Sequence, residues 1–344
     1  MRLTLQTSLF ALFFLCTSIT FSQNYTVKDS ITVFTDSVFS ILENKNLYRD
    51  KIDWSTYKKE FQNKVSAHKT LKDALLQYRK LFVDLGDKHT SIQLGDFDVR
   101  NPYAGVYTGE EFSPGLMARY QQGNFEFECK VLDNQYGYLF IPGNSLPSGE
   151  NLEAIAQPMY DAIANLAENN TIKGWIIDLR FNTGGNMWPM VAGLYELLGE
   201  GHFGGWNIEN RIQKCYLKDG KAFETDKVIV EIDRTSKLDL SKEKVAIITG
   251  VLTGSSGEVV AIAFKGRENT IFIGEPSAGY TTTNNTYRMP FGGFFNNAEG
   301  YDVDRNGVEY DKIIPDIPVV KSDNFKNLME DKNILEAIKN IKSL

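Results

Sequence analysis

Apolar positions along the chain follow two patterns. Between 29 and 85 they recur at helical spacing in three stripes: Ile31, Phe34, Val38, Ile41 and Leu42; Trp54, Tyr57, Phe61 and Val65; Leu71, Leu75, Tyr78, Phe82 and Leu85. This spacing predicts three helices whose aromatic residues form a core, with Asp53 capping the second and Gly86 ending the third. From 136 onward, short continuous apolar runs alternate with helical stretches. Residues 136–142 read as a buried strand, and 150–168 as a helix with Leu152, Ile155, Met159, Ile163 and Leu166 on one side. Pro158 predicts a kink or split in that helix. The runs 175–177, 245–248 and 270–274 read as strands, and Ile334, Leu335, Ile338 and Ile341 mark a last helix from Asp331. Strand and helix in alternation predict an α/β fold.

Other stretches carry weaker patterns. Residues 95–135 mix Gly, Pro and aromatic residues, with 125–131 the best strand. The charged stretch 203–243 reads as an insertion of short strands, and 281–286 and 290–293 as loops or hairpin turns near the site. The division expected is a leader over 1–22, a helical domain over 23–90 and an α/β domain over 91–344.

The leader has Arg2, an apolar core at 9–16 and a polar end near Ser22 and Gln23, the form of a cleaved secretory signal. Its core is too short to span a bilayer, so export to the periplasm or the exterior is expected, with no stable membrane span after cleavage. Leu15 before Cys16 argues against lipid attachment at that cysteine. A formal charge of -7 gives no electrostatic case for nucleic acid. Cys129 and Cys215 permit one disulfide without requiring it, and three histidines with no CxxC pair lead us to expect no metal and no cofactor.

The chemistry concentrates in three places. In 245–258 a buried strand reaches a Gly-rich turn with two serines and then a helix. Either Ser255 or Ser256 stands at the helix N-terminus, where free N–H groups and the helix dipole stabilise developing negative charge. Helix capping alone also explains a serine there. Of the three histidines, His89 is the best placed base, at a helix end leading into a strand-like run. In 172–188, a strand ends at Asp178 and Arg180 before the turn carrying Gly184 and Gly185. Dinucleotide and P-loop spacings are absent, which leaves an oxyanion donor as the use of this turn, with Asp178 and Arg180 as an ion pair fixing it.

Four stretches in this order resemble the C-terminal processing and tricorn-type serine peptidases, a family with retinoid-binding-like members. They are Asp87-Lys88-His89-Thr90; Asp178 to Gly185; Thr253-Gly254-Ser255-Ser256-Gly257-Glu258 with Gly274-Glu275-Pro276; and Glu309 ahead of Pro315-Asp316-Ile317. The resemblance implies a crotonase-like or ClpP-like spiral of β-β-α units with an N-terminal helical bundle. It picks Ser255 as nucleophile, three positions before Glu258, with Ser256 and either Gly184 or Gly185 as oxyanion donors. The tail-processing branch uses a lysine in the loop where this chain has Tyr280; His89 and Glu309 instead match the tricorn-like branch, with Glu309 orienting the imidazole directly or through a hydroxyl. Thr90 and Ser91 are candidates for that hydroxyl, and the span from His89 to Tyr136 is short for a PDZ domain. The implied activity is exported serine-peptidase hydrolysis of peptide or unfolded-protein substrates. The alternative is a non-catalytic binder of a peptide or apolar ligand on the same fold. An esterase reading lacks a GxSxG elbow.

Overall fold

The computed structural model describes residues 25–144, 151–236 and 238–344. The leader, including Cys16, lies outside them.

Four helices open the chain: α1 (Val27–Lys45), α2 (Trp54–Val65), α3 (Leu71–Leu75) and α4 (Tyr78–Leu85). The third apolar stripe is divided between α3 and α4, because the helix breaks at Leu76 and Gln77. Thr26, Asp53 and Thr70 cap their helices by accepting backbone N–H groups, and Gly86, with φ of +69°, takes the left-handed position that ends α4. Strands β1 (Ser91–Leu94) and β2 (Phe97–Arg100), helix α5 (Pro114–Gln122), and strands β3 (Glu128–Leu132) and β4 (Tyr136–Phe140) follow. Then come α6 (Glu153–Asn169), β5 (Gly174–Asp178), α7 (Met187–Gly193) and α8 (Tyr195–Leu198). Strands β6 (Gly201–Ile208), β7 (Arg211–Lys218), β8 (Lys221–Glu224) and β9 (Lys227–Glu231) lead to β10 (Val245–Thr249) and α9 (Ser256–Phe264). The chain closes with β11 (Thr270–Gly274), β12 (Thr282–Met289), β13 (Gly293–Asp304), β14 (Ile317–Pro318) and α10 (Lys332–Ile341).

The strands form two sheets, giving the mixed α/β architecture. One has the order β14-β11-β10-β5-β4-β3 and is parallel except for the β3–β4 pair. Its central strands β4, β5 and β10 are buried at every residue, which is why they read as unbroken apolar runs. The other, antiparallel, has the path β2-β1-β13-β6-β7-β8-β9, with β12 also on β13. The largest core joins α6, α7 and α9 with residues of both sheets, including Trp175, Ile247, Phe203 and Leu217. A second core packs α1–α4 onto β1, β2, β12 and β13 through Ile92, Val99, Met289 and Phe295. The helical unit therefore shares its core with the sheet that follows it.

Three local expectations compare with the structure as follows. Helix α6 runs unbroken through Pro158. The stretch 203–243 forms short strands as expected, most of β6 with β7–β9, and places Cys215, Leu217, Ala222 and Val230 in the main core. The run 281–286 is mostly strand β12, formed by its ladder with β13 although its own sequence shows no apolar alternation. Cys129 and Cys215 are both free thiols.

Candidate active site

Strand β10 ends at the turn that presents Ser255. Thr253 fixes that turn: its hydroxyl donates to the Leu179 carbonyl at 2.8 Å and accepts the Gly250 N–H at 2.9 Å. The Gly254 N–H reaches the Asn182 carbonyl at 2.9 Å, so the turn is sewn to the segment leading into Gly184. Ser255 has φ 52° and ψ −123°, a region that side chains rarely occupy and that costs roughly 1–3 kcal/mol. Glu258 offsets this strain. Its buried carboxylate accepts N–H groups from Ser255 (3.0 Å), Gly279 (2.9 Å) and Tyr280 (2.7 Å), and the Ser277 hydroxyl. Burial raises the Glu258 pKa, while these four donors pull it back toward the charged form.

His89 arrives from the other sheet. The turn between α4 and β1 is built on Asp87, whose buried Oδ1 accepts the N–H groups of His89 and Thr90, each at 2.9 Å. Asn46 and the Thr90 hydroxyl donate to the other carboxylate oxygen. The imidazole so held has Nε2 3.1 Å from Ser255 Oγ and Nδ1 2.9 Å from Thr282 Oγ1. Both contacts are satisfied by one tautomer, with Nδ1–H donating to Thr282 and Ser255 O–H donating to Nε2. The Tyr280 ring meets the imidazole edge-on at 5.3 Å. Dense packing pushes the His89 pKa down to about 4; Arg100 adds to this, while Asp87 and the Thr282 backbone act against it.

The glycine turn lies against the serine. A Cβ on Gly184, at φ +111°, would sit 2.8 Å from Ser255 Cβ, and one on Gly185, at φ +113°, would overlap the Asn144 carbonyl. Both positions therefore require glycine. Gly184 N–H is engaged by Asn182 Oδ1 at 3.2 Å. Among the described residues, the N–H groups of Gly185 and Ser256 have no hydrogen-bond partner. The Ser256 hydroxyl donates to the Gly185 carbonyl at 2.7 Å, clamping this turn to the start of α9.

The other expected residues are placed as follows. Arg180 is buried among three carboxylates, 2.6 Å from Asp178 and 2.7 Å from both Asp323 and Asp331; Asp331 also caps α10. Glu309 does not reach the imidazole: it is exposed and accepts from Asn207 Nδ2 at 2.6 Å, and both nitrogens of His89 are taken by other groups. Thr90 turns into the Asp87 network, and Ser91 lines the cleft without bonding the ring. The hydroxyl at Nδ1 belongs to Thr282, which the sequence left in a polar run with no distinguishing feature. Asp87 stands in the motif, and its part as the acceptor that builds the turn emerges only from the structure.

Two clefts meet at Ser255 and His89. The larger, about 760 Å³, includes Gly185, Trp188, Ser256 and Thr282; the smaller, about 450 Å³, includes Lys88, Arg100, Tyr107 and Tyr280. A hydroxyl with a neutral imidazole at one side and free N–H groups at the other can attack an electrophilic carbonyl and stabilise the resulting oxyanion.

The chain is similar over most of its length to known proteins. It is 25% identical to the nisin-resistance protein of Lactococcus lactis subsp. lactis over 306 residues, 88% of this chain and 87% of that protein. Its fold matches a lipoprotein from Streptococcus agalactiae with a TM-score of 0.66 and 23% identity, covering 93% of this chain and 98% of the other. The crystal structure of a putative peptidase from Parabacteroides merdae matches with a TM-score of 0.56 and 16% identity, covering 91% of this chain and 96% of the other. Residues 135–319, which run from β4 through the serine turn to the end of β14, match peptidase family S41, and the chain belongs to that family.

Proposed function

We propose that the protein is an exported serine peptidase that cleaves peptide bonds through an acyl-enzyme on Ser255. The observation that carries this reading is the line of contacts Ser255 Oγ, His89 Nε2, His89 Nδ1 and Thr282 Oγ1, at 3.1 and 2.9 Å on the two sides of one ring. Ser255 Oγ attacks the scissile carbonyl carbon as His89 Nε2 takes its proton. Thr282 holds the tautomer that leaves Nε2 free to accept. The new oxyanion receives the Gly185 and Ser256 N–H groups. The C–N bond then breaks, His89 passes the proton to the leaving amine, and a water activated by the same imidazole releases the acyl group.

Several features support the assignment. Burial keeps His89 neutral at neutral pH, the form a general base needs. Glu258 contributes by holding the strained nucleophile turn, not by touching substrate. Export is supported by the signal-like leader and by similarity to a lipoprotein and to a nisin-resistance protein. The test is digestion of an unbiased peptide mixture, read by mass spectrometry. Discrete internal cleavages that vanish in Ser255→Ala are expected; identical digests from both proteins would overturn the reading.

A further inference from the structure

Trp188, Trp206, Glu224 and Asp302 line the larger cleft and have no part in the mechanism. Asp302 on β13 pairs with Trp206 on β6, so both side chains leave the sheet on the same face. The Trp206 indole N–H donates to Glu224 at 2.8 Å, and Trp188 meets Trp206 edge-on at 6.5 Å. Asp302 is only 2% exposed, yet its Oδ1 has no hydrogen-bond partner among the described residues. No lysine or arginine pairs with it there. Burial and the nearby Glu258 charge both disfavour its ionised form. A carboxyl placed so is costly to the free protein. Arg180 shows the usual solution, a buried cation shared among acids. At Asp302 the described residues supply no such cation.

We propose that Asp302, with Glu224 and the two indoles, forms a subsite for the cationic side chain of a lysine or arginine beside the scissile bond of a peptide substrate. The position of that bond rests on the peptidase reading above. A bound cation offsets the burial that disfavours the Asp302 carboxylate and so meets opposite charge there and at Glu224, and indole rings favour a cation over their faces. Glu224 is held ready by the Trp206 N–H. The cleft, about 760 Å³, accommodates a long side chain together with backbone. A neutral side chain of equal length would leave Asp302 buried without a partner, and sites of that kind reject the unmatched ligand strongly.

The experiment uses the full chain carrying Ser255→Ala, so that binding is read without turnover. Labelled octapeptides differ at one position, Lys, Arg, norleucine, citrulline or Glu, scanned across the residues flanking the candidate bond, and affinity is followed by fluorescence anisotropy. At one position Lys and Arg should bind about tenfold or more tighter than norleucine and citrulline. Adding Asp302→Asn should reduce that ratio to about twofold. Glu224→Gln should lower the ratio in part, and it serves should Asp302→Asn not fold. Equal affinities at every position, or a preference that survives both substitutions, would overturn the subsite. Cleavage of the same peptides by the unsubstituted protein separates the two claims. Uniform cleavage without preference overturns the subsite and leaves the peptidase; cation-selective binding with no cleavage supports the subsite and overturns the peptidase.

Discussion

The two sheets bring different things to the site. The parallel sheet carries Ser255 at the end of β10, a strand buried at all five residues, and its loops are locked by Thr253, Glu258 and the Arg180 cluster. The antiparallel sheet carries Thr282 at the start of β12 and His89 in the turn that leads into β1, beside strands with polar, partly open faces. The nucleophile is thus held by deep burial, and its base by a polar turn around Asp87. Each half is fixed within its own sheet, and the reactive contact forms only where the sheets meet.

Removing either reacting group tests this division most severely. Ser255→Ala and His89→Ala should each lower kcat by roughly five to six powers of ten with the melting temperature little changed, as seen by steady-state kinetics and calorimetry. The next effect falls on stability. Arg180→Met leaves three buried carboxylates without their cation and should cost about 3–5 kcal/mol in denaturant unfolding. A loss confined to kcat would mean that the parallel side is not the rigid half.

The contrast also explains what the sequence disclosed. Buried parallel strands give continuous apolar runs, so 175–177, 245–248 and 270–274 were readable, as were the glycine turn and the serine loop attached to them. Strand β12, Thr282 to Met289, has almost no apolar residue before its end; it is a strand because β13 supplies its ladder. Thr282 was therefore hidden, since a threonine bonded to a histidine 193 positions earlier leaves no local mark. Glu309 was chosen from position in a resembled pattern, and the structure turns it to Asn207 at the surface. Pro158 left α6 intact because packing of its buried face outweighed one missing hydrogen bond.

Smaller changes sharpen the picture on the antiparallel side. Thr282→Val removes the acceptor at Nδ1 and should lower kcat by about 10- to 100-fold, with KM nearly constant. The pH profile gives a related check. Because the folded imidazole's pKa lies below its ordinary 6.5, the neutral base persists as pH falls, and kcat/KM should decline only on approach to about 4. An acid limb centred near 6.5 would mean that the ring is more hydrated than its packing indicates. Smallest of all, Glu309→Gln should change kcat/KM by less than about twofold, because an exposed hydrogen bond to Asn207 does not touch the ring.

The central claim, that Ser255 is the residue acylated and that His89 activates it, is tested most directly by labelling the folded protein with a fluorophosphonate and locating the adduct by peptide mass spectrometry. A single adduct on Ser255, absent from Ser255→Ala and strongly slowed in His89→Ala, is the result expected. An adduct on Ser256, or none on the folded wild-type protein, would contradict it.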